Sequence, residues 1–204
     1  WIKRRDSAGN HMSIDSTRGV TKVVYPHIAN LEETLSNRVT SFDSDGYSTA
    51  NEDANTNTGT FVAWQWKANA GTTTSDTGGN LNTVYQVNST SKFGILTYTG
   101  NESAGLSSQP EMIMVKKRAG GDAYGWGVWH TGLSNNNGTK QLILDTSAAE
   151  ATQDMFNDAI FPSSSATVFA TGQNNHTNFP SGATYVAYCF NPVQGYSKFG
   201  KYTG

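Results

Sequence analysis

Cys189 is the only cysteine in the 204-residue chain, and so the only thiol nucleophile it can offer. A reactive thiol needs a positioned base and an electropositive setting. Cys189 instead sits within the run Thr184-Tyr185-Val186-Ala187-Tyr188-Cys189-Phe190 and is expected to be a core side chain. The four histidines, His11, His27, His130 and His176, show no spacing that suits a zinc site, so no metal or other cofactor is expected. His130 follows Trp129 and is expected at a rim. Asp43-Ser44-Asp45-Gly46 opens like a calcium loop. The position that should close it with Glu holds Ala54, so a turn stabilised by Asp is expected.

Glu32-Glu33 is an adjacent glutamate pair of the kind that glycosidase chemistry uses. Glu32 has a counterpart, Glu150, in a second copy of the same pattern. That favours a scaffold role, such as capping a short helix. Lys3-Arg4-Arg5 and Lys116-Lys117-Arg118 are basic, but a strand sends neighbouring side chains to opposite faces. Each run then offers too few charges for phosphate binding, and a solvated or edge-protecting strand is expected. Tyr124, Trp126 and Trp129 cluster between glycines. Trp129 aligns with Ile14 and is expected in the core, whereas Tyr124 and Trp126 have no aromatic counterpart. With Asn135 and Asn136 of the following loop, they are the candidate ligand residues, as platforms and polar contacts for a sugar. No catalytic residues are assigned. Asn-x-Ser/Thr triplets begin at Asn88, Asn101, Asn137 and Asn175 and matter only in a eukaryotic secretory setting.

The elements that must position these residues are short strands. Hydrophobic residues make up 36% and charged residues 15% of the chain, and Thr, Ser, Asn and Gly fill much of the rest, which suits strands and tight turns. A net charge of −2 gives no drive toward nucleic acid or anionic membrane. No apolar run approaches the roughly 18 residues of a membrane span, and no leader is recognisable. A chain opening on Trp1 is expected to be processed or to be a segment of something longer.

The dominant feature is self-similarity. Ile2-Lys3-Arg4-Arg5 matches Val115-Lys116-Lys117-Arg118 at an offset of 113, and Thr21 to Thr34 matches Thr139 to Thr152 at 118. Thr60-Phe61-Val62-Ala63-Trp64-Gln65-Trp66 matches Thr184 to Phe190 at 124. Ser91-Lys92-Phe93-Gly94 recurs as Ser197-Lys198-Phe199-Gly200, and Tyr98-Thr99-Gly100 as Tyr202-Thr203-Gly204. Five blocks in one order, with drifting offsets, indicate two diverged copies whose loops changed length. The expected division is a first β-module over 1–90, lacking its leading strand, and a second over 91–204. The second ends in a strand that can start a third repeat, and Lys67 to Thr90 reads as a linker.

Within Thr184 to Phe190, Tyr185, Ala187 and Cys189 fall on one face and Val186, Tyr188 and Phe190 on the other. Both faces are apolar, so the strand is expected to be central, and Phe61 to Trp66 reads the same way. Phe93 to Thr99, Met112 to Lys116, Gly125 to His130 and Gln141 to Leu144 are further strands. Asp45-Gly46, Thr58-Gly59, Gly120-Gly121 and Asn135-Asn136-Asn137-Gly138 mark turns. Ala29 to Leu35 and Thr146 to Asp154 are each expected to make a helical turn or two. The fold class is all-β: two tandem antiparallel β-sandwich modules of jelly-roll or lectin-like type.

Several of these blocks together resemble a known family. They are the Lys-x-Arg strands, Thr139 to Glu150, Ser41-Phe42-Asp43-Ser44-Asp45-Gly46-Tyr47, Tyr185 to Phe190, and Gly195-Tyr196-Ser197-Lys198-Phe199-Gly200-Lys201-Tyr202-Thr203-Gly204. They look like a tandem, lectin-like β-module found in tail-fibre and other virion structural proteins of marine bacteriophages. The resemblance implies an extracellular virion protein that self-associates, with a homotrimer as the expected form, alongside other virion proteins and a host-surface glycan. It supplies no catalytic residues, and neither nucleic-acid binding nor membrane insertion is expected.

The first functional reading is therefore a phage fibre or appendage segment acting in structure and host attachment. The second is a ligand-free structural polymer or capsid-decoration protein assembled by β-strand addition. The third is a carbohydrate-active enzyme. The chain itself is read as not an enzyme. Specificity is expected where the copies differ: Tyr124 to Trp126, Asn135 to Gly138 and Lys67 to Thr90.

Overall fold

The structure is a computed structural model and describes residues 1–50, 53–76, 82–100, 104–105, 109–135, 137–153, 155–156 and 168–204. The first copy supplies β1 (Ile2–Arg4), β2 (Lys22–Val23), β3 (Glu33–Thr34), β4 (Val39–Phe42), β5 (Tyr47–Thr49) and β6 (Phe61–Ala63). Then come β7 (Thr74–Asp76), β8 (Thr83–Asn88), β9 (Phe93–Thr99) and β10 (Ala104–Gly105). The second copy continues with β11 (Met112–Ala119), β12 (Gly127–His130), β13 (Lys140–Ile143), β14 (Ala151–Thr152), β15 (Val168–Phe169) and β16 (Thr184–Phe190). The fold is all-β, and no helix forms among the described residues.

Eight strands make one antiparallel sheet in the order β14-β13-β12-β11-β16-β9-β8-β7. β16 is central, as its two apolar faces require. Tyr185, Ala187 and Cys189 join one core with Leu96, Tyr98, Ile113, Val115 and Trp129. Val186 and Tyr188 join the other with Phe93, Ile95, Met114, Trp126 and Val128. Met155, Phe156 and Phe169 cover the first face. The second is covered by Val24 and Ala68, which belong to the first copy and the segment after it. A smaller core gathers Ile2, Met12, Val23, Tyr25, Val39 and Ala54.

The duplication is written in the strand register. β1 pairs with β6 as Ile2↔Ala63, Lys3↔Val62 and Arg4↔Phe61. Moved by 113 and 124 residues, these become Val115↔Ala187, Lys116↔Val186 and Lys117↔Tyr185, which are pairs of β11 with β16. Lys22↔Thr34 and Val23↔Glu33, moved by 118, become Lys140↔Thr152 and Gln141↔Ala151. The bridges Ile2↔Met12 and Ser13↔Val24 likewise match Val115↔Gly127 and Val128↔Leu142. A one-residue slip in any pair would turn its whole apolar set to the wrong face, so equal registers mark a common scaffold.

Three expectations are corrected. The two segments read as helical turns hold β3 and β14. Segments this short pay the cost of helix nucleation for few hydrogen bonds, while a strand beside them offers a ladder. The division between Thr90 and Ser91 falls in the turn of the β8–β9 hairpin, which runs from Asn88↔Phe93 to Thr83↔Tyr98. Within Lys67 to Thr90, β7 and β8 belong to the large sheet, so the stretch does not serve only as a linker. Finally, Lys116 and Lys117 are not solvated edge residues. β11 lies between β12 and β16 with both faces covered, and both lysines are fully buried.

The turns follow their signals. Asp43 accepts from Ser41 Oγ at 2.9 Å and Ser48 Oγ at 2.8 Å, closing the β4–β5 hairpin. Gly120, at φ 96°, ends β11 where a Cβ would lie 2.5 Å from the Ala183 Cα.

Candidate functional site

The two copies meet around a buried charge network. Asp15 lies in a turn after Met12-Ser13 and accepts the backbone N–H groups of Thr17 and Arg18 at 3.0 and 2.9 Å. Arg18, whose side chain is fully buried, donates through Nε to Asp15 Oδ2 at 2.6 Å and through Nη1 to Glu32 Oε2 at 3.0 Å. Its Nη2 donates to Tyr188 Oη at 2.9 Å, and Tyr188 donates in turn to Asp15 Oδ2 at 2.7 Å. On the other side of Glu32, Arg118 donates from Nε and Nη2 to both carboxylate oxygens, at 2.8 and 2.9 Å. The Glu32 N–H also donates to the Arg118 carbonyl at 3.1 Å.

Burial pushes both carboxyls up, and their cations overcome it. Arg18, with the Tyr188 hydroxyl, holds Asp15 below the usual range, and Arg118 with Arg18 does the same for Glu32. Arg118 and Tyr188 of the second copy meet Glu32, Arg18 and Asp15 of the first, an arrangement that joins the two copies. The scaffold role expected for Glu32 takes this form rather than a helix cap. Glu150, its counterpart, receives the backbone N–H and hydroxyl of Ser134. Sequence reasoning missed the network. Its signals were the Asp15/Arg18 spacing and the Tyr188 hydroxyl inside an otherwise apolar strand.

The structure places the candidate ligand residues apart. Trp126 is 1% exposed; its Nε1 donates to the Tyr25 carbonyl at 2.8 Å, and its ring stacks on Tyr188 at 5.9 Å. This corrects its assignment to a ligand platform, since neither ring face is open to a sugar. Tyr124 is half-buried, edge-on to His176 at 5.3 Å, with Lys117 Nζ 5.2 Å over its ring. Asn135 is exposed, and its Oδ1 accepts the Asn137 N–H at 3.0 Å. Tyr124 precedes β12 and Asn135 lies in the turn that follows it. Asn136 falls outside the described residues.

The remaining singled-out side chains are structural. Cys189 is buried mid-strand, and burial pushes its thiol up, away from the thiolate a nucleophile needs. Trp129 is 1% exposed in the core, as expected. Lys116 donates to the carbonyls of Ala29 and Tyr124, and burial brings it down to about 8. No metal-holding group of His, Cys, Asp and Glu occurs among the described residues.

A shallow cleft of about 480 Å³ opens on the same seam. Trp1, His11, Pro26 and His27 line it from the first copy and Leu144 to Ser147 from the second. His11 and His27 stack at 4.6 Å, and Trp1 packs on the half-exposed Trp64 at 5.7 Å. Burial, then the nearby Lys3 charge, lowers both imidazoles, so they present neutral ring faces at neutral pH. Flat neutral rings beside Asp145 and Thr146 suit a sugar better than an ion. Sequence reasoning missed this wall, because its histidines lie 16 residues apart.

Among known proteins, the model of one family, a domain of unknown function designated DUF7483, matches residues 1–204. No curated protein and no solved structure matches the chain.

Proposed function

The chain belongs to the DUF7483 family over its whole length, and from that premise we propose that it is a structural segment of a virion fibre or appendage that also contacts host-surface glycan. The observation that carries the reading is the duplicated strand register, with its two copies locked together by the Arg18–Glu32–Arg118 network. What is shared between the copies is strand pairing and packing, the property a durable extended particle component needs. The resemblance of the Tyr185 to Phe190 and Tyr196 to Gly204 blocks to phage virion modules supports the location. The glycan contact is assigned to the seam cleft of Trp1, His11 and His27, in place of the buried Trp126. Repetition along a fibre turns weak single contacts into firm attachment.

Immunogold electron microscopy of particles carrying the protein tests the reading. Label along projecting fibres is the expected result. Label restricted to the capsid faces would overturn it in favour of a decoration protein.

A further inference from the structure

The seam carries one contact twice, built from different chemistry. By the matched bridges, Met12 stands where Gly127 stands, so His11 answers Trp126. At the offset of 118, His27 answers Asp145. The Trp126 N–H donates to Asp145 Oδ1 at 2.7 Å, and the His11 N–H donates to His27 Nδ1 at 3.3 Å. In each copy a side chain from the same place in the repeat thus holds the same backbone donor. The acceptor is a carboxylate in the second copy and an imidazole in the first. His27 and Asp145 also line the seam cleft from its two sides.

The two acceptors respond differently to protons. A ring nitrogen of imidazole accepts only while it carries no proton. His27 Nε2 lies 3.1 Å from Asn10 Oδ1, an atom that only accepts, so the neutral ring keeps its proton there and offers the Nδ1 lone pair to His11. A second proton has one place to go, Nδ1, and there it would point at the His11 N–H. His11 is set in the same way, because Lys3 Nζ donates to its Nε2. The two rings stack at 4.6 Å. A carboxylate ordinarily titrates more than about two units below an imidazole, and it keeps a second oxygen to accept with.

We propose that His27 is a proton switch in the wall of the seam cleft: in mild acid it releases the Asn10–His11 backbone, while the matching contact of Asp145 in the second copy stays closed. Lys3 faces His27 from β1, the His11 ring covers one face, Tyr25 meets it edge-on at 6.3 Å, and Asp145 faces it from the second copy. Lys3 and a protonated His11 oppose the added charge, and Asp145 favours it. Burial first, then Lys3, lowers His27 from its ordinary 6.5, against the raising effect of Asp145. The unfolded chain therefore takes up the proton at about 6.5, before the folded chain does. The stabilisation from the neutral ring is whole above that pH. It is lost as the pH falls from 6.5 through the lower folded value.

Both imidazoles are half-buried, so protons reach them from solvent. Release of Asn10 and His11 loosens the wall that the first copy gives the cleft. The opposite wall, Leu144 to Ser147, stays anchored by Asp145 on the Trp126 N–H. Every group of the switch lies between Lys3 and Asp145, and its response to pH is independent of what the cleft binds.

Amide hydrogen exchange followed by nuclear magnetic resonance tests the switch, with the Trp126 N–H as the reference inside the same molecule. Between about pH 7.5 and about pH 5 the protection factor of the His11 N–H is expected to fall about tenfold, and that of Trp126 to hold. The ring-nitrogen signals of His27 should move over the same interval. His27→Asp, which copies the chemistry of the second copy, should keep the His11 N–H protected throughout, and Asp145→His should transfer the loss to Trp126. Unchanged His11 protection in the parent would overturn the proposal. So would a joint loss at His11 and Trp126, a loss out of step with the His27 signals, or a His27→Asp variant that loses protection as the parent does. Should His27→Asp not fold, Asp145→His decides, and Trp126 protection that ignores pH in that variant sinks the idea.

Discussion

Arg118 grips Glu32 with two parallel hydrogen bonds, Nε to Oε2 at 2.8 Å and Nη2 to Oε1 at 2.9 Å. The pair joins the end of the central strand β11 to the first copy. Arg18 approaches the same carboxylate from the other side and, unlike Arg118, is fully buried. The two arginines therefore contribute unequally. Arg18→Met strands the buried Asp15 carboxylate and part of Glu32, and breaking a buried pair from one side costs about 3–5 kcal/mol. Arg118→Met removes two charge-assisted bonds at a site about a fifth exposed, and is expected to cost about 1.5–3 kcal/mol. Urea denaturation read by tryptophan fluorescence measures both. Equal stabilities for Arg18→Met and the parent would remove the network from the account of how the copies hold together.

The same carboxylates set the acid limit. Both are held below their ordinary values of 3.8 and 4.5 in the folded chain. The stabilisation they give is complete above about pH 4.5. It is lost as the pH falls through the lower folded values, where the unfolded chain already holds the protons. The urea midpoint should fall below pH 4.5, and more shallowly in Arg18→Met, where the Asp15 carboxyl has lost its main cation. Parallel pH profiles for the two proteins would show that Asp15 does not drive the acid transition.

How far the sequence reached is clearest at β16. The alternation of Tyr185, Ala187 and Cys189 against Val186 and Tyr188 separates two cores, because a strand's period fixes which side each residue faces. The aligned blocks likewise carried the registers of β1 with β6 and of β2 with β3. What local pattern leaves open is which edge meets which. Phe61 to Ala63 reads as central by its apolar content, yet it lies at an edge. Lys116 and Lys117 read as solvated by their charge, yet the long-range pairing of β11 with β12 and β16 buries them. The candidate site failed for the same reason. Trp126 lacks an aromatic counterpart because it fills the space between the copies, against Tyr25 and Tyr188, and not because it serves a ligand.

That burial makes a direct prediction for Trp126. Trp126→Ala opens a cavity between the copies and leaves the Tyr25 carbonyl without its donor, a loss of about 3–5 kcal/mol. Tyr124→Ala, at a half-buried position, should cost clearly less. Thermal unfolding followed by circular dichroism ranks the two. A Trp126→Ala melting temperature equal to that of the parent would return the ring to the surface and restore it as a ligand candidate.

Lys116 makes the opposite kind of prediction, a gain of stability toward alkali. Burial lowers its ammonium from 10.5 to about 8, although two carbonyls hold it. Below pH 8 both folded and unfolded chains carry the proton, and the folded chain bears the full cost of a buried charge. Between 8 and 10.5 the unfolded chain still binds the proton and the folded one releases it, so stability rises with pH. The rise is about 1 kcal/mol from pH 8 to 9. Above pH 9 the buried Cys189 thiol opposes it. That group ionises at about 9 when unfolded but stays protonated in the fold, so it loses stability as pH rises. Urea midpoints at pH 8.0, 8.5 and 9.0 should therefore climb in the parent and stay level or fall in Lys116→Met. A parent midpoint that falls across this interval would show that Lys116 stays charged in its buried place.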